Sequence, residues 1–321
     1  MGRTLDMAIG ALNGAVGDYL ARTGNGLATD TECFAHGAPL PLTEGAIRAV
    51  HPKPSARVVV LVHGLMCTEA VWSFDDGGDY GSLLQTELDF TPYYVRYNSG
   101  LPIPDSGASL SAMMQRLVDA HPVAIEELVL IGFSMGGLVV RAACHAASSP
   151  RDVDGARGSG WLSKVTRAIY VGTPHLGAPL ERLGRAFTRL MHAIPDPYTR
   201  LIAQLGDLRS DGLKDLGDAD VRHEDRARRR PHVSLRDPKH PVPMLPSIRH
   251  YLVAGSLSKD PIVSAFFGDA LVPVPSGTDG LCVDRLGMLL PPSHVKLITG
   301  VAHITLAHHR DVYAQIKEWV Q

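Results

Sequence analysis

Apolar residues at Leu5, Ile9, Leu12, Val16, Tyr19 and Leu20 recur every three or four positions. That spacing predicts an amphipathic helix near the start of the chain, ended by Gly24-Asn25-Gly26. Its apolar face suits packing on a main domain, the usual source of helix stability, and packing is expected over a flap above an apolar cleft. The turn-rich stretch from Pro39 to Pro54 holds one short strand candidate, Ala46–Val50. The pattern then changes. Arg57–Val62 is apolar and β-branched almost throughout, which predicts a strand buried on both faces, the habit of parallel sheets covered by helices. Further strands are expected at Tyr93–Tyr97, Leu128–Phe133, Arg167–Val171, His250–Ala254 and Val295–Thr299. Helical periodicity lies between and after them at Tyr80–Leu88, Ser109–Ala120, Met135–Ala147 and Val312–Val320. Buried strands alternating with helices predict an α/β fold with a parallel sheet and right-handed crossovers.

One segment breaks the alternation. From Ala178 to about Pro246 no apolar strand candidate appears, while Leu180, Leu183, Phe187, Leu190 and Met191 repeat at helical spacing. This predicts a helical insertion on one sheet connection, a place where loops carry function. Its charged stretch, Arg222 to Arg230, reads as a solvated loop, because Glu224 and Asp225 weaken its field.

Composition narrows the function classes. With 31 basic and 33 acidic residues the net charge is −2, so nothing marks the chain for nucleic acid. Apolar runs fall far short of the ~18 residues that span a bilayer. Asp6, Asn13 and Asp18 interrupt any signal-peptide core, which leads to the expectation of a cytoplasmic protein. Cys33, Cys67, Cys144 and Cys282 have no paired spacing and read as free thiols. No histidine cluster has metal-ligand spacing, and neither a cofactor nor a metal is expected.

The chemistry gathers around Gly132-Phe133-Ser134-Met135-Gly136, a G-x-S-x-G motif between a predicted buried strand and a predicted helix. A serine on such a tight turn stands at a helix N-terminus, whose free N–H groups favour developing negative charge. A serine hydroxyl needs a base, and the base needs an orienting group. These follow the serine in the order acid, histidine. His303 lies just past the last predicted strand, where a loop can reach the serine; His294, His308 and His309 are its rivals. Asp269 and Asp260 both lie in a loop after the strand at His250–Ala254, while Asp279 and Asp284 fall too close to the last strand. The oxyanion needs donors. Val62-His63-Gly64-Leu65 ends the first buried strand and offers the Leu65 N–H, and Met135 offers the second. His63 reads as a turn residue and His175 as part of a Thr-Pro-His turn.

The chain resembles an α/β-hydrolase of the bacterial lipase and esterase kind. The matching pieces are His63-Gly64-Leu65, Gly132 to Gly137, Gly172-Thr173-Pro174-His175-Leu176-Gly177, Asp269 to Pro273 and His303. It is similar to triacylglycerol lipases and to esterases related to the GPI-inositol deacylases. The resemblance favours Asp269 over Asp260 as the acid. It implies residues 57–177 and 247–321 as an α/β-hydrolase core, with residues 1–56 as a helix and hairpin packed on it. Residues 178–246 would form a helical lid. It implies hydrolysis of medium to long acyl esters through an acyl-enzyme, with an acyltransferase or thioesterase as the alternative on the same residues. The partners implied are a small acyl ester or lipid and a transient lipid interface at the lid, with no nucleic acid and no obligate protein partner.

Overall fold

The structure, a computed structural model of the 321-residue chain, describes residues 3–148, 160–175, 210–227, 242, 244–257 and 290–321. The β-branched runs form one eight-stranded sheet: β1 (Glu32–Ala35), β2 (Ala38–Pro39), β3 (Arg57–Val62), β4 (Phe90–Arg96), β5 (Glu127–Phe133), β6 (Val165–Val171), β7 (Arg249–Ser256) and β8 (Val295–Thr299). Their spatial order is β2-β1-β4-β3-β5-β6-β7-β8. The six strands from β4 to β8 run parallel, and the β1–β2 hairpin adds an antiparallel edge.

Alternate side chains feed two cores, as a strand period of two requires. Val58, Val60, Val62, Leu128 and Leu130 face one side, with α4 (Ile103–Ala120) and α5 (Met135–Ser148). Val59, Leu61, Val129, Ile131 and Phe133 face the other, with α3 (Tyr80–Leu88) and the C-terminal helix α8 (Arg310–Val320). Arg57 ties the strand bottoms to this second layer: it donates to Glu127 at 2.8 Å, to Leu88 O at 2.9 Å and to Val320 O at 2.7 Å. Those last two carbonyls end helices and would otherwise lack partners.

The N-terminal helix α1 (Arg3–Arg22) is kinked at Val16 and ends before Gly24, which has φ +63°. It packs as a third apolar cluster with Met66. Two short helices lie further along the chain: α6 (Asp211–Asp218) and α7 (His223–Ala227).

Three expectations change. Ala46–Val50 is not a strand but belongs to helix α2 (Glu44–Val50). Thr43 caps it by accepting from Ala46 N–H, and Glu44 pairs with Arg48 one turn on. The start of Arg222 to Arg230 is helical and paired rather than a solvated loop: Arg222 binds Asp225, and Arg226 binds Asp211 and the fully buried Asp215. Helix α4 starts at Ile103, six residues before the expected Ser109. Its N-cap, Pro102, has no side-chain cap, and the Ile103 N–H is met instead by Asp215 at 2.8 Å. The bulk of the expected insertion lies outside the described residues, as do Asp260, Asp269, Asp279, Asp284, Cys282, Leu176 and Gly177. Cys33, Cys67 and Cys144 are free thiols. No helix among the described residues is long and apolar enough to cross a membrane.

Candidate active site

The site forms at the carboxyl ends of β3, β5, β6 and β8. Ser134 is the single residue between β5 and α5 and holds a left-handed backbone, φ +53°. For a side chain other than glycine that conformation costs roughly 1–2 kcal/mol. The surroundings impose it. Ser134 N–H is bound to Val171 O at 2.8 Å, and Gly137 N–H returns to Ser134 O at 3.1 Å. A Cβ on Gly132 would lie 2.5 Å from Gly137 Cα, and one on Gly136 would lie 2.3 Å from Val62 O. The two motif glycines therefore let the strand, the turn and the helix touch.

His303 meets the serine. Its Nε2 is 2.9 Å from Ser134 Oγ, and both side chains are buried. The ring lies against Phe133, with centroids 5.0 Å apart. Gly172, at φ +60°, makes room: a Cβ there would fall 3.1 Å from His303 Cε1. The first glycine of the Gly-Thr-Pro-His piece thus has a steric role that the sequence did not disclose. Behind the histidine, the loop after β8 is pinned to β7, because Gly300 and Val301 N–H groups both donate to Ser256 O.

The rival histidines are engaged elsewhere. His308 Nδ1 sits 3.1 Å from Val71 O, His309 caps α8, and His294 Nδ1 lies 3.0 Å from His250 O. His63 stacks on Tyr97 and uses both nitrogens on backbone: Nε2 accepts from Tyr97 N–H, so Nδ1–H donates to Gly64 O at 2.8 Å. Burial pushes its pKa down to about 4. His175 packs edge-on against Tyr170 and lies 3.3 Å from the buried Arg141 guanidinium. Burial, then that charge, holds it well below the ordinary imidazole range. Both are neutral structural residues.

Leu65 stands in the turn Gly64–Cys67, closed by Cys67 N–H to Gly64 O at 3.3 Å. A Cβ on Gly64 would be 3.0 Å from Ser134 Cβ, so this turn abuts the serine directly. Met135 opens α5, where an N–H has no partner within the helix. No group of histidine, cysteine and carboxylate side chains able to hold a metal occurs among the described residues.

Serine and imidazole thus meet at the carboxyl rim of a mostly parallel sheet, where α/β folds place their ligand crevice. The sequence profile of the alpha/beta hydrolase family matches residues 59–316. No curated protein sequence matches the chain. Among solved structures the chain is similar to the mature lipase BlEst2 of Bacillus licheniformis, with TM-score 0.52 and 15% identity over 84% of this chain and 94% of that one. It is also similar to lipase 1 of Pelosinus fermentans, with TM-score 0.47 and 13% identity over 82% and 97%. The esterase Pf2001 of Pyrococcus furiosus gives TM-score 0.48 and 13% identity over 83% of each chain. At such identities the likeness concerns the fold. The family match covers most of the chain, and the chain belongs to the alpha/beta hydrolase family.

Proposed function

We propose that the protein is a serine carboxylic-ester hydrolase acting on medium to long acyl esters through an acyl-enzyme. The observation that carries this reading is the 2.9 Å contact between His303 Nε2 and Ser134 Oγ. That distance suits proton transfer from hydroxyl to imidazole. Ser134 Oγ attacks the ester carbonyl while His303 takes its proton. The Leu65 and Met135 N–H groups receive the carbonyl oxygen as it becomes an anion. His303 then gives the proton to the leaving alcohol, and the ester C–O bond breaks. Water, deprotonated by the same imidazole, releases the acid and restores the serine. Asp269 orients the histidine and stabilises its charged form. The segment 178–246 supplies the acyl-binding lid and the contact with a lipid interface.

Ser134→Ala is expected to reduce hydrolysis of a p-nitrophenyl acyl ester by at least about 10⁴-fold, read as kcat/KM. Retention of most of the activity would refute the assignment. An acyltransferase on the same residues would be shown by a new ester that outruns hydrolysis when an alcohol is supplied, and a thioesterase by release of free thiol from a carrier-bound acyl thioester faster than cleavage of the ester.

A further inference from the structure

The turn that carries the Leu65 N–H is held from behind by a residue the mechanism does not use. Gly64–Cys67 is a four-residue turn with Leu65 and Met66 at its centre. In such a turn the two central N–H groups make no bond within the turn itself. Met66 has φ +61°, the left-handed region, and is the third residue of the turn, where glycine normally stands. A methionine there is strained and would relax by flipping the Leu65–Met66 peptide unless something fixed it.

Ser99 fixes it. Its Oγ accepts the Met66 N–H at 3.0 Å, and the residue is fully buried. Ser99 is itself locked. Asn98, at its flank, takes the Gly100 N–H on its Oδ1 at 3.0 Å and donates from Nδ2 to Gly17 O of α1 at 2.9 Å. Gly212 N–H of α6 donates to Gly100 O at 2.9 Å, and Ser210 Oγ donates to Gly14 O at 2.7 Å. From the other side α1 presses on the turn, for a Cβ on Gly14 would come within 2.7 Å of Met66 N. One of the two central amides is thus consumed by Ser99, which anchors the turn that carries the other, that of Leu65.

We propose that Ser99 is the positioning residue of the oxyanion turn: by capturing the Met66 N–H it holds the Gly64–Cys67 turn so that the Leu65 N–H meets the developing oxyanion. The inference rests on the esterase reading of this site. It concerns transition-state binding alone, so its signature is a fall in kcat with little change in KM.

The test compares wild type, Ser99→Ala and Ser99→Thr on a p-nitrophenyl ester. Active sites are titrated by a fluorophosphonate so that rates are expressed per competent serine. Ser99→Ala should lower kcat by about tenfold or more with KM within about twofold, short of the ~10²–10³ for losing an oxyanion donor outright. Its affinity for an alkyl trifluoromethyl ketone, which binds as a tetrahedral oxyanion, should fall by the same factor. Ser99→Thr, which keeps the hydroxyl, should recover much of both. If Ser99→Ala does not fold, Ser99→Cys offers a weak acceptor of similar shape and should show the same split. Unchanged kcat per titrated site, or a loss confined to KM, would overturn the inference while leaving the esterase reading intact. A wild type that hydrolyses no ester and takes no fluorophosphonate would overturn both.

Discussion

Ser134 and His303 stand 169 positions apart in the chain, yet their side chains meet at 2.9 Å. At the residue scale the serine was legible because its motif carries its own physics: glycines on either side and a strand-to-helix turn can be read without any partner. The histidine was legible by position, since only a loop past a strand end can reach the serine, and the structure occupies His294, His308 and His309 with other bonds. The acid was less legible. Asp260 and Asp269 both follow the same strand in the sequence, and a carboxylate orienting an imidazole leaves no local pattern. Asp269→Asn is expected to lower kcat by about 10³–10⁴-fold, as when a triad histidine loses its tautomer, whereas Asp260→Asn should stay within a few-fold. Steady-state kinetics of the two variants, with the reverse ranking, would move the role to Asp260. Ser99 was invisible in sequence, because its importance comes from a strained amide 33 positions away.

At the level of elements, apolar runs mark the strands both at the sheet centre, where β3 is buried, and at its edge, where only Ile298 of β8 is buried. Arg57–Val62 and Val295–Thr299 have the expected bounds. The pattern predicts β4 from Tyr93, but the strand begins at Phe90 and runs through Pro92. Proline is tolerated there because β1 pairs only with Tyr94 to Arg96, leaving Pro92 on an uncovered edge. The start of α4 departs from the expected Ser109 for a different reason. Its cap is Asp215, 112 positions away, and a helix start normally signals itself through its neighbours. Asp215→Ala should therefore cost about 1–3 kcal/mol in urea unfolding, because it leaves the buried Ile103 N–H without its acceptor and takes one of two carboxylates from Arg226. A cost below about 1 kcal/mol would show that water or a neighbouring carboxylate replaces it. Gly136→Ala makes a second test at this scale. Its Cβ would fall 2.3 Å from Val62 O, so the elbow must open, and stability should drop by about 1–3 kcal/mol or more together with activity.

For the whole molecule, the parallel sheet and its covering helices follow from alternation alone, whereas the spacing that predicts the N-terminal helix does not say where on the core it packs. Its glycines look like poor helix residues in sequence. In the structure Gly14 and Gly17 let α1 approach Met66 and Asn98, so the reason for them lies in packing at the rim of the site. A molecule-wide property follows from the buried imidazoles. Burial pushes His63 and His250 down to about 4, and holds His175 well below 6.5. Between pH 6.5 and 4 the unfolded chain binds protons that the folded chain refuses. Stability is therefore full above pH 6.5 and falls as the pH drops toward 4, by up to about 1.4 kcal/mol per pH unit for each such histidine. Urea unfolding followed across that range should show a falling midpoint, and a flat profile would contradict the neutral assignment of these rings.

The central claim is that Ser134 is the nucleophile. Its most direct test is intact-mass and peptide mapping after a fluorophosphonate is added to the native protein. The account predicts one adduct, on Ser134, lost in Ser134→Ala and strongly slowed in His303→Ala. An adduct on another serine, or labelling of Ser134 that proceeds as fast without His303, would contradict it.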